Sequence, residues 1–321
     1  MTQKEPAGSE SMHSHRTQLA VDASQPLSIW RFTDGTSGHS NQSLGLVQAL
    51  SRIVPTHMTE ICVQRSIFTR PQLPSTTTPP DILIGAGQRT HRTMLRVKST
   101  TDARAIVLMR PSVPAEKFDL CIVPEHDGVP ASANTILTCG ALNTVQKPEQ
   151  KNSQLGLIAI GGPSQHHDWL DAELIAQIRA ITRDSTDPIR WTVANSRRTP
   201  QSTWDALTRL KLPGVGLAHW RAQEEDWFAR TMTNATEAWV SEDSVSMLYE
   251  AMTSGAAVGV LTVPRRGAGR VLNGVTRLIA RGLVTPYSLW QGGKALSVAV
   301  PALAEADRCA QLIVDRWLTA N

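Results

Sequence analysis

No apolar run in this 321-residue sequence approaches the roughly 18–20 residues that a helix needs to cross a bilayer. The polar stretch 1–25 has no apolar core of the kind found in secretory signal peptides, and we expect it to be a disordered tail. The four cysteines lie far apart without a C-x-x-C pair, which disfavours a zinc site and indicates a reducing compartment. These absences favour a cytoplasmic protein.

Other signatures are missing as well. Lys and Arg number 32 against 28 Asp and Glu, a mild excess of +4, and no dense basic run or aromatic platform predicts nucleic-acid binding. The excess suits phosphorylated substrates or an anionic membrane surface. The sequence has no G-x-x-x-x-G-K-[ST] loop, which excludes a P-loop enzyme, and no G-x-G-x-x-G fingerprint, which disfavours a dehydrogenase.

Strand and helix patterns alternate in two successive halves of the chain. Because strands separated by helices form parallel sheets covered on both faces, we predict an α/β fold with two domains, 26–145 and 150–303, joined by a polar linker. An amphipathic C-terminal helix within 304–321 is expected to pack across the domains. The predicted strands are 27–32, 61–68, 81–84, 105–109, 120–123, 155–160, 189–194, 238–240 and the apolar run before 261.

Polar loops follow these strands at their carboxyl ends, where ligands bind in open parallel sheets. We therefore expect the loops to converge on one cleft between the domains. In the first half, His39 follows a glycine-containing turn, where an imidazole is suited to act as a general base. The alternative is a structural turn histidine. His126 beside Asp127 is a second acid–base candidate, or the pair binds an acceptor hydroxyl.

In the second half, Gly161-Gly162-Pro163-Ser164 would let the backbone approach a phosphate, although an ordinary tight turn has the same composition. Arg197 and Arg198 follow a strand, and a guanidinium there could bind a diphosphate; a solvated basic turn is the alternative for either arginine.

The stretch 241–261 predicts a strand end, a helix opening on two serines and a further strand. Asp243 or Ser244 can cap this helix, whose free N–H groups and positive dipole end attract an anion. Glu250, in the second turn, could reach a ribose diol. A capped amphipathic helix without a ligand is the alternative. His166, His167 and Asp168 do not predict a metal site, because adjacent histidines diverge and no third ligand is placed by spacing.

Six short motifs occur in order, and together they resemble one family. They are D-G-x-x-G-H-x-N-Q-x-x-G-L at 34–46, G-x-G-x-R-T at 85–90, P-x-H-D at 124–127, G-G-P-S at 161–164, S-R-R-T-P at 196–200 and S-E-D-S-x-S-M at 241–247. The set, spanning about 27–300, resembles the mitochondrial fission Elm-type family, whose bacterial members are described as glycosyltransferases. More distantly it is similar to GT-B transferases, including the N-acetylglucosaminyltransferase that completes lipid II.

The resemblance implies a GT-B-like fold, with two Rossmann-like domains facing a cleft. It implies that a nucleoside-diphosphate sugar lies on the C-terminal domain and an acceptor on the N-terminal one. Catalysis would fall to His39 and Asp127, although the loop 34–39 has fewer glycines than the GT-B pattern. The other implied contacts are Gly161, Gly162, Ser164, Ser244 and Ser246 for the diphosphate and Glu250 for the ribose. To these we add Ser196 and Arg197 on the donor side and Asp34, Gln42, Arg89 and His126 on the acceptor side.

From the residues and the resemblance together we expect a transferase that moves a sugar from a nucleoside-diphosphate sugar to a cell-envelope or lipid-linked acceptor. It would need no cofactor or metal, in keeping with the lack of a D-x-D motif, because a helix dipole, serines and an arginine can stabilise the departing diphosphate. We expect it in the cytoplasm, with peripheral contact to the inner face of the membrane. The alternatives are a nucleotide-sugar epimerase of the same architecture and a non-catalytic adaptor with a decayed sugar site.

Overall fold

The computed structural model describes residues 25–63, 78–151, 154–184, 189–224, 226–267, 270–290 and 303–318, with isolated residues between 292 and 298. The predicted tail therefore lies outside the described residues, apart from its last position. The described chain forms two six-stranded sheets, and within each sheet all neighbouring strands run parallel. The predicted α/β class with two Rossmann-like halves is confirmed.

The first sheet has the lateral strand order β2-β1-β3-β4-β5-β6. Its strands are β1 (Leu27–Thr33), β2 (Thr56–Cys62), β3 (Ile82–Ala86), β4 (Arg104–Leu108), β5 (Leu120–Pro124) and β6 (Thr135–Thr138). Helices α1 (Ser37–Ser51) and α2 (Gln88–Lys98) follow β1 and β3. They cover opposite faces of the sheet, because alternate residues of β1 join different apolar clusters: Ile29 packs with Leu46 of α1, and Phe32 packs with Met94 of α2.

The second sheet has the order β12-β11-β10-β7-β8-β9. Its strands are β7 (Leu155–Ile160), β8 (Arg190–Asn195), β9 (Val215–Ala218), β10 (Glu237–Ser241), β11 (Ala257–Leu261) and β12 (Thr285–Pro286). The helices that cover it are α3 (Asp171–Asp184), α4 (Gln201–Leu210), α5 (Trp227–Asn234), α6 (Val245–Thr253) and α7 (Arg270–Ala280). Among the described residues, no helix has both the length and the apolarity required to cross a membrane.

The last helix, α8 (Glu305–Trp317), returns to the first sheet. Its buried face, which includes Ile313 and Trp317, shares one apolar cluster with residues of β1 and α1. At the surface, Arg52 after α1 forms an ion pair with Asp307. The chain therefore completes the second sheet and then closes against the first domain.

One predicted strand is wrong in position. The sequence suggested a strand over 61–68, whereas β2 covers Thr56–Cys62 and pairs with β1; residues 64–77 lie outside the described part of the chain. The reason is that β2 is an edge strand, in which Ile61 is buried and most other side chains are half-buried or exposed. Its composition is therefore mixed, and the apolar residues that follow it drew the prediction toward the C-terminus.

Candidate active site at the carboxyl ends of two sheets

Each sheet has a point where the strand order reverses, and ligands in open α/β sheets bind at such points. In the first sheet, β2 lies on one side of β1 and β3 on the other, so the order reverses between β1 and β3. In the second sheet, β8 lies on one side of β7 and β10 on the other, so the order reverses between β7 and β10. The predicted loops after β1, β7 and β10 therefore lie at the two reversal points. The topology alone marks these loops as the candidate site.

At the first reversal point, Asp34 and His39 form a pair. His39 Nδ1 lies 3.0 Å from Asp34 Oδ2 and 3.2 Å from Oδ1, and the Thr36 N–H donates to Asp34 Oδ1 at 3.0 Å. Gly87, after β3, has a φ of 87° and lies against both side chains, so that a Cβ there would collide with His39 Nδ1. The second glycine of the G-x-G-x-R-T motif, Gly87, thus leaves space for the Asp34 and His39 side chains.

The Asp34–His39 pair has the geometry of an oriented general base. The Asp34 side chain is 4% exposed and the His39 side chain 24%. Burial raises the pKa of the Asp34 carboxyl, but hydrogen bonds from Thr36 and His39 together outweigh burial and place the pKa below its ordinary value. An ionised carboxylate on Nδ1 holds the ring in the tautomer that leaves Nε2 able to accept a proton.

At the second reversal point, the Gly161-Gly162 turn is closed by groups of the protein itself. Gly161 N–H donates to Ser241 Oγ at 2.7 Å, and Gly162 N–H donates to Asp243 Oδ2 at 3.0 Å. A Cβ at Gly161 would collide with the Asp243 carboxylate, and one at Gly162 with the Arg198 carbonyl oxygen. The glycines are therefore needed for this internal packing, and both amides are engaged within the protein.

Asp243 and Arg198 form the floor of this turn. The Asp243 side chain is fully buried, Arg198 Nη2 donates to its Oδ2 at 2.6 Å, and Arg198 Nη1 donates to the Gly162 carbonyl oxygen at 2.8 Å. Asp243 Oδ1 is buried without a hydrogen-bond partner among the described residues. The Arg198 guanidinium is therefore occupied by hydrogen bonds to the turn and to Asp243. Its neighbour Arg197 faces the other domain instead.

The start of α6 presents free donors. Ser244 is its N-cap residue, as predicted, but its side chain makes no capping hydrogen bond, and no acidic residue lies in the first turn. Ser244 is 8% exposed, whereas Ser246 is exposed. The uncapped N–H groups, the positive end of the helix dipole and two hydroxyl groups converge at this position, which is a suitable environment for an anion.

Two hydrogen bonds connect α1 with the second domain across the cleft. Arg197 Nη2 donates to Ser37 Oγ in the first turn of α1 at 2.8 Å, two residues before His39. Asn41 Nδ2, also on α1, donates to Glu250 Oε1 on α6 at 2.7 Å. The predicted donor-side residues Arg197 and Glu250 are therefore brought together with the predicted acceptor-side loop.

The remaining predicted site residues have these positions. His126 stacks on Tyr249 of α6, with ring centroids 6.3 Å apart, and its Nε2 lies 3.9 Å from Asp127 Oδ1. Ser196 Oγ donates to the Gly161 carbonyl oxygen at 3.0 Å, and Ser164 Oγ lies 3.3 Å from Nδ1 of His167. Gln42 is buried on α1 and Arg89 is exposed on α2.

The segment 166–168 has structural contacts. His167 is buried, burial lowers its pKa, and Asp168 forms an ion pair with Arg266. Within the described residues, no group of three or more His, Cys, Asp or Glu side chains is arranged to hold a metal ion.

Sequence reasoning missed four residues of the site: Ser37, Asn41, Arg198 as a partner of Asp243, and Asp243 as part of the glycine turn. All four lie inside or beside the quoted motifs. Their position in the motifs could have marked them, but their partners lie on other strands and, for two of them, on the other domain.

Comparison with solved structures gives the same architecture. A Listeria monocytogenes protein described as a UDP-N-acetylglucosamine 2-epimerase aligns with a TM-score of 0.51 at 12% identity, over 91% of this chain and 88% of that one. The UDP-GlcNAc 2-epimerase from Methanocaldococcus jannaschii aligns with a TM-score of 0.51 at 12% identity, over 91% of this chain and 100% of that one. At this identity the likeness shows the fold, which is GT-B-like as predicted.

Sequence comparison identifies the family. No curated protein matches the chain. The model of the family described as Mitochondrial fission ELM1 matches residues 37–317, which include α1, β3, the whole second reversal point and all six motifs except the first three residues of the first motif. The chain belongs to the Mitochondrial fission ELM1 family.

Proposed function

We propose that this protein binds a nucleoside-diphosphate sugar in the cleft and transfers the sugar to a cell-envelope or lipid-linked acceptor. The observation that carries the proposal is what the two reversal points hold: an oriented histidine lies at the first and an uncapped helix start at the second. Arg197, at the second, contacts Ser37, two residues before the histidine. An acid–base group and an anion site are the two elements that sugar transfer from a diphosphate requires.

In this reaction His39 Nε2 accepts the proton of the acceptor hydroxyl, while Asp34 stabilises the imidazolium that forms. The acceptor oxygen bonds to the anomeric carbon, and the bond from that carbon to the diphosphate oxygen breaks. The departing diphosphate gains negative charge, which the start of α6, Ser244 and Arg197 stabilise. Asp127, beside His126 on the acceptor side, is the second candidate for acid–base chemistry.

The donor's ribose is assigned to Glu250, whose carboxylate can accept two hydroxyl hydrogen bonds. Among the residues predicted to contact the diphosphate, the main role passes from the glycine turn to the start of α6. Because both amides of the Gly161-Gly162 turn are engaged by Ser241 and Asp243, the free donors of α6 carry more of the binding. Ser164 and Ser196 then stabilise the turn through their contacts within the protein and do not bind the diphosphate directly.

A nucleotide-sugar epimerase is the second candidate, because the two aligned structures with TM-scores of 0.51 are described as UDP-N-acetylglucosamine 2-epimerases. One experiment separates the two functions. The protein is incubated with UDP- and GDP-sugars, with and without a lipid extract of bacterial envelopes, and nucleoside diphosphate release and sugar identity are followed. Transfer predicts release that depends on the extract. A changed sugar without the extract indicates an epimerase, and binding without turnover indicates an adaptor.

A further inference from the structure

A hydrogen bond between the domains ends on the carboxylate assigned to the ribose. Asn41 lies one turn into α1 and Glu250 lies in the second turn of α6, and Asn41 Nδ2 donates to Glu250 Oε1 at 2.7 Å. Glu250 is 9% exposed. A single amide from the acceptor-side domain therefore contacts the buried carboxylate of the donor-side domain.

The Asn41 amide is held at both ends. Its Oδ1 accepts a hydrogen bond from Thr144 Oγ1 at 2.9 Å, and Thr144 lies in the segment that links the two sheets. When ionised, the Glu250 carboxylate can only accept, so the amide nitrogen is the group that faces it. The orientation of Asn41 is thus fixed by the linking segment and by α6 together.

Asn41 also influences the protonation of Glu250, although burial has the larger effect on its pKa. Burial raises the pKa of Glu250 to about 7, and the hydrogen bond from Asn41 lowers it. No charged side chain of the described residues contributes to this balance. The facing groups from α1 and the linking segment are the neutral Asn41 and Thr144, and Tyr249, the titratable neighbour on α6, stacks on His126 instead.

We propose that Asn41 is a positioning residue of the nucleotide site, which aims the Glu250 carboxylate at the ribose only while the two domains are together. The inference rests on the proposed function, because it takes the ribose as the ligand of Glu250. Glu250 Oε2 accepts no hydrogen bond from a described residue, so that one oxygen remains for a ribose hydroxyl. Nucleotide affinity therefore depends on the acceptor-side domain. Among the described residues, the bond from Asn41 is the one hydrogen bond that this domain makes to the Glu250 carboxylate.

The structure offers a matched control for this bond. Asn143 Nδ2 donates to Thr253 Oγ1 at 3.1 Å, three residues beyond Glu250 on the same helix. Thr253→Val removes this neighbouring contact without touching Glu250. Asn41→Leu removes the bond to Glu250 at similar volume, and Thr144→Val releases the other end of the Asn41 amide.

The test is calorimetric titration of the full chain with UDP and with GDP, each from about pH 5.5 to about pH 8.5. The wild-type affinity should fall as the pH decreases through about 7, because protonated Glu250 is a poorer acceptor. Asn41→Leu should move the midpoint upward by roughly one pH unit and weaken binding at neutral pH roughly fivefold. Thr144→Val should shift it in the same direction, Thr253→Val should leave it unchanged, and Glu250→Gln should give weak, pH-independent binding.

Two outcomes overturn the inference, and they are distinguishable. If the wild type binds one of the nucleotides and Asn41→Leu and Thr144→Val both keep its pH profile, Asn41 does not position Glu250, and the proposed function stands. If Asn41→Leu does not fold, the profile of Thr144→Val decides alone. If the wild type binds neither nucleotide, the proposed function fails, and the inference fails with it.

Discussion

The imidazole of His39 is held by the carboxylate of Asp34, with Nδ1 3.0 Å from Oδ2. The two residues flank the turn between β1 and α1, at the point where the strand order of the first sheet reverses. The sequence had placed Asp34 among the acceptor contacts and His39 among the catalytic residues. The structure joins them, and the proposed role of Asp34 is now to orient the base.

Substitution of His39 tests this pair. His39→Gln should lower sugar transfer by roughly 10²–10⁴-fold, the usual contribution of a general base. Asp34→Asn should also lower it, because it removes the charge that stabilises the imidazolium. Both variants should bind nucleotide like the wild type. Nucleoside diphosphate release with a lipid extract measures the effect, and His57→Gln, at an exposed position on β2, is the control. Unchanged transfer in His39→Gln would refute the assignment of the base.

Arg197 and Arg198 should differ, although they are neighbours. Arg197 is exposed and reaches Ser37, so Arg197→Met should weaken donor binding roughly tenfold and leave the free energy of unfolding unchanged. Arg198 pairs with the buried Asp243, so Arg198→Met should lower the free energy of unfolding by roughly 1–3 kcal/mol. Urea unfolding and donor titration measure the two quantities. The reverse pattern would show that Arg198 carries the anion site.

Ser244 tests the uncapped helix start. An N-cap serine that bonds its helix costs about 0.5–2 kcal/mol when replaced by alanine. Ser244 makes no such bond, so Ser244→Ala should cost less than about 0.5 kcal/mol while weakening donor binding several-fold. Ser241→Ala is the matched comparison, since Ser241 Oγ accepts the Gly161 N–H inside the protein and its loss should reduce stability. A large stability loss in Ser244→Ala with unchanged donor binding would contradict this prediction.

Glu250 should make the protein less stable as the pH rises. Burial raises its pKa to about 7 in the fold from its ordinary value of 4.5, so the native state binds more protons than the unfolded state between these values. Its stabilising contribution is therefore complete below about 4.5 and is lost as the pH rises through about 7.

Glu250→Gln removes this titration. Relative to the wild type, its free energy of unfolding should increase across that window by an amount on the order of 3 kcal/mol at most. Urea unfolding at about pH 5 and about pH 8 measures the difference. Glu173→Gln, at an exposed position on α3, should show no such trend. A pH-independent difference between Glu250→Gln and the wild type would show that Glu250 does not titrate in this range.

The sequence predicted the central strands well and the edges poorly. Strands β1, β3, β5 and β7 are buried on both faces and therefore appear as continuous apolar runs. The four edge strands of the two sheets are β2, β6, β9 and β12, and most of their residues are half-buried or exposed. The sequence misplaced β2, at 61–68, and did not predict the other three. Edge strands bury one face at most, so their position depends on pairing rather than on local composition.

The site shows a similar division. The sequence indicated the loops after β1, β7 and β10, because glycine, serine and charged residues interrupt the apolar pattern there. It could not show that Asp243 fills the glycine turn or that Asn41 reaches Glu250, which lies 209 residues away. Such pairs depend on how separate strands and the two domains pack together, and one sequence carries no record of that packing.

Binding of a nucleoside-diphosphate sugar in the cleft is tested most directly by a thermal-shift screen. UDP-, GDP-, ADP- and TDP-sugars are each added at increasing concentration to the wild type and to an Arg197→Met, Ser244→Ala double variant. We expect at least one sugar nucleotide to raise the melting temperature of the wild type in a concentration-dependent way, and the double variant to lose most of this shift. No shift with any of them, or an equal shift in the double variant, would contradict this expectation.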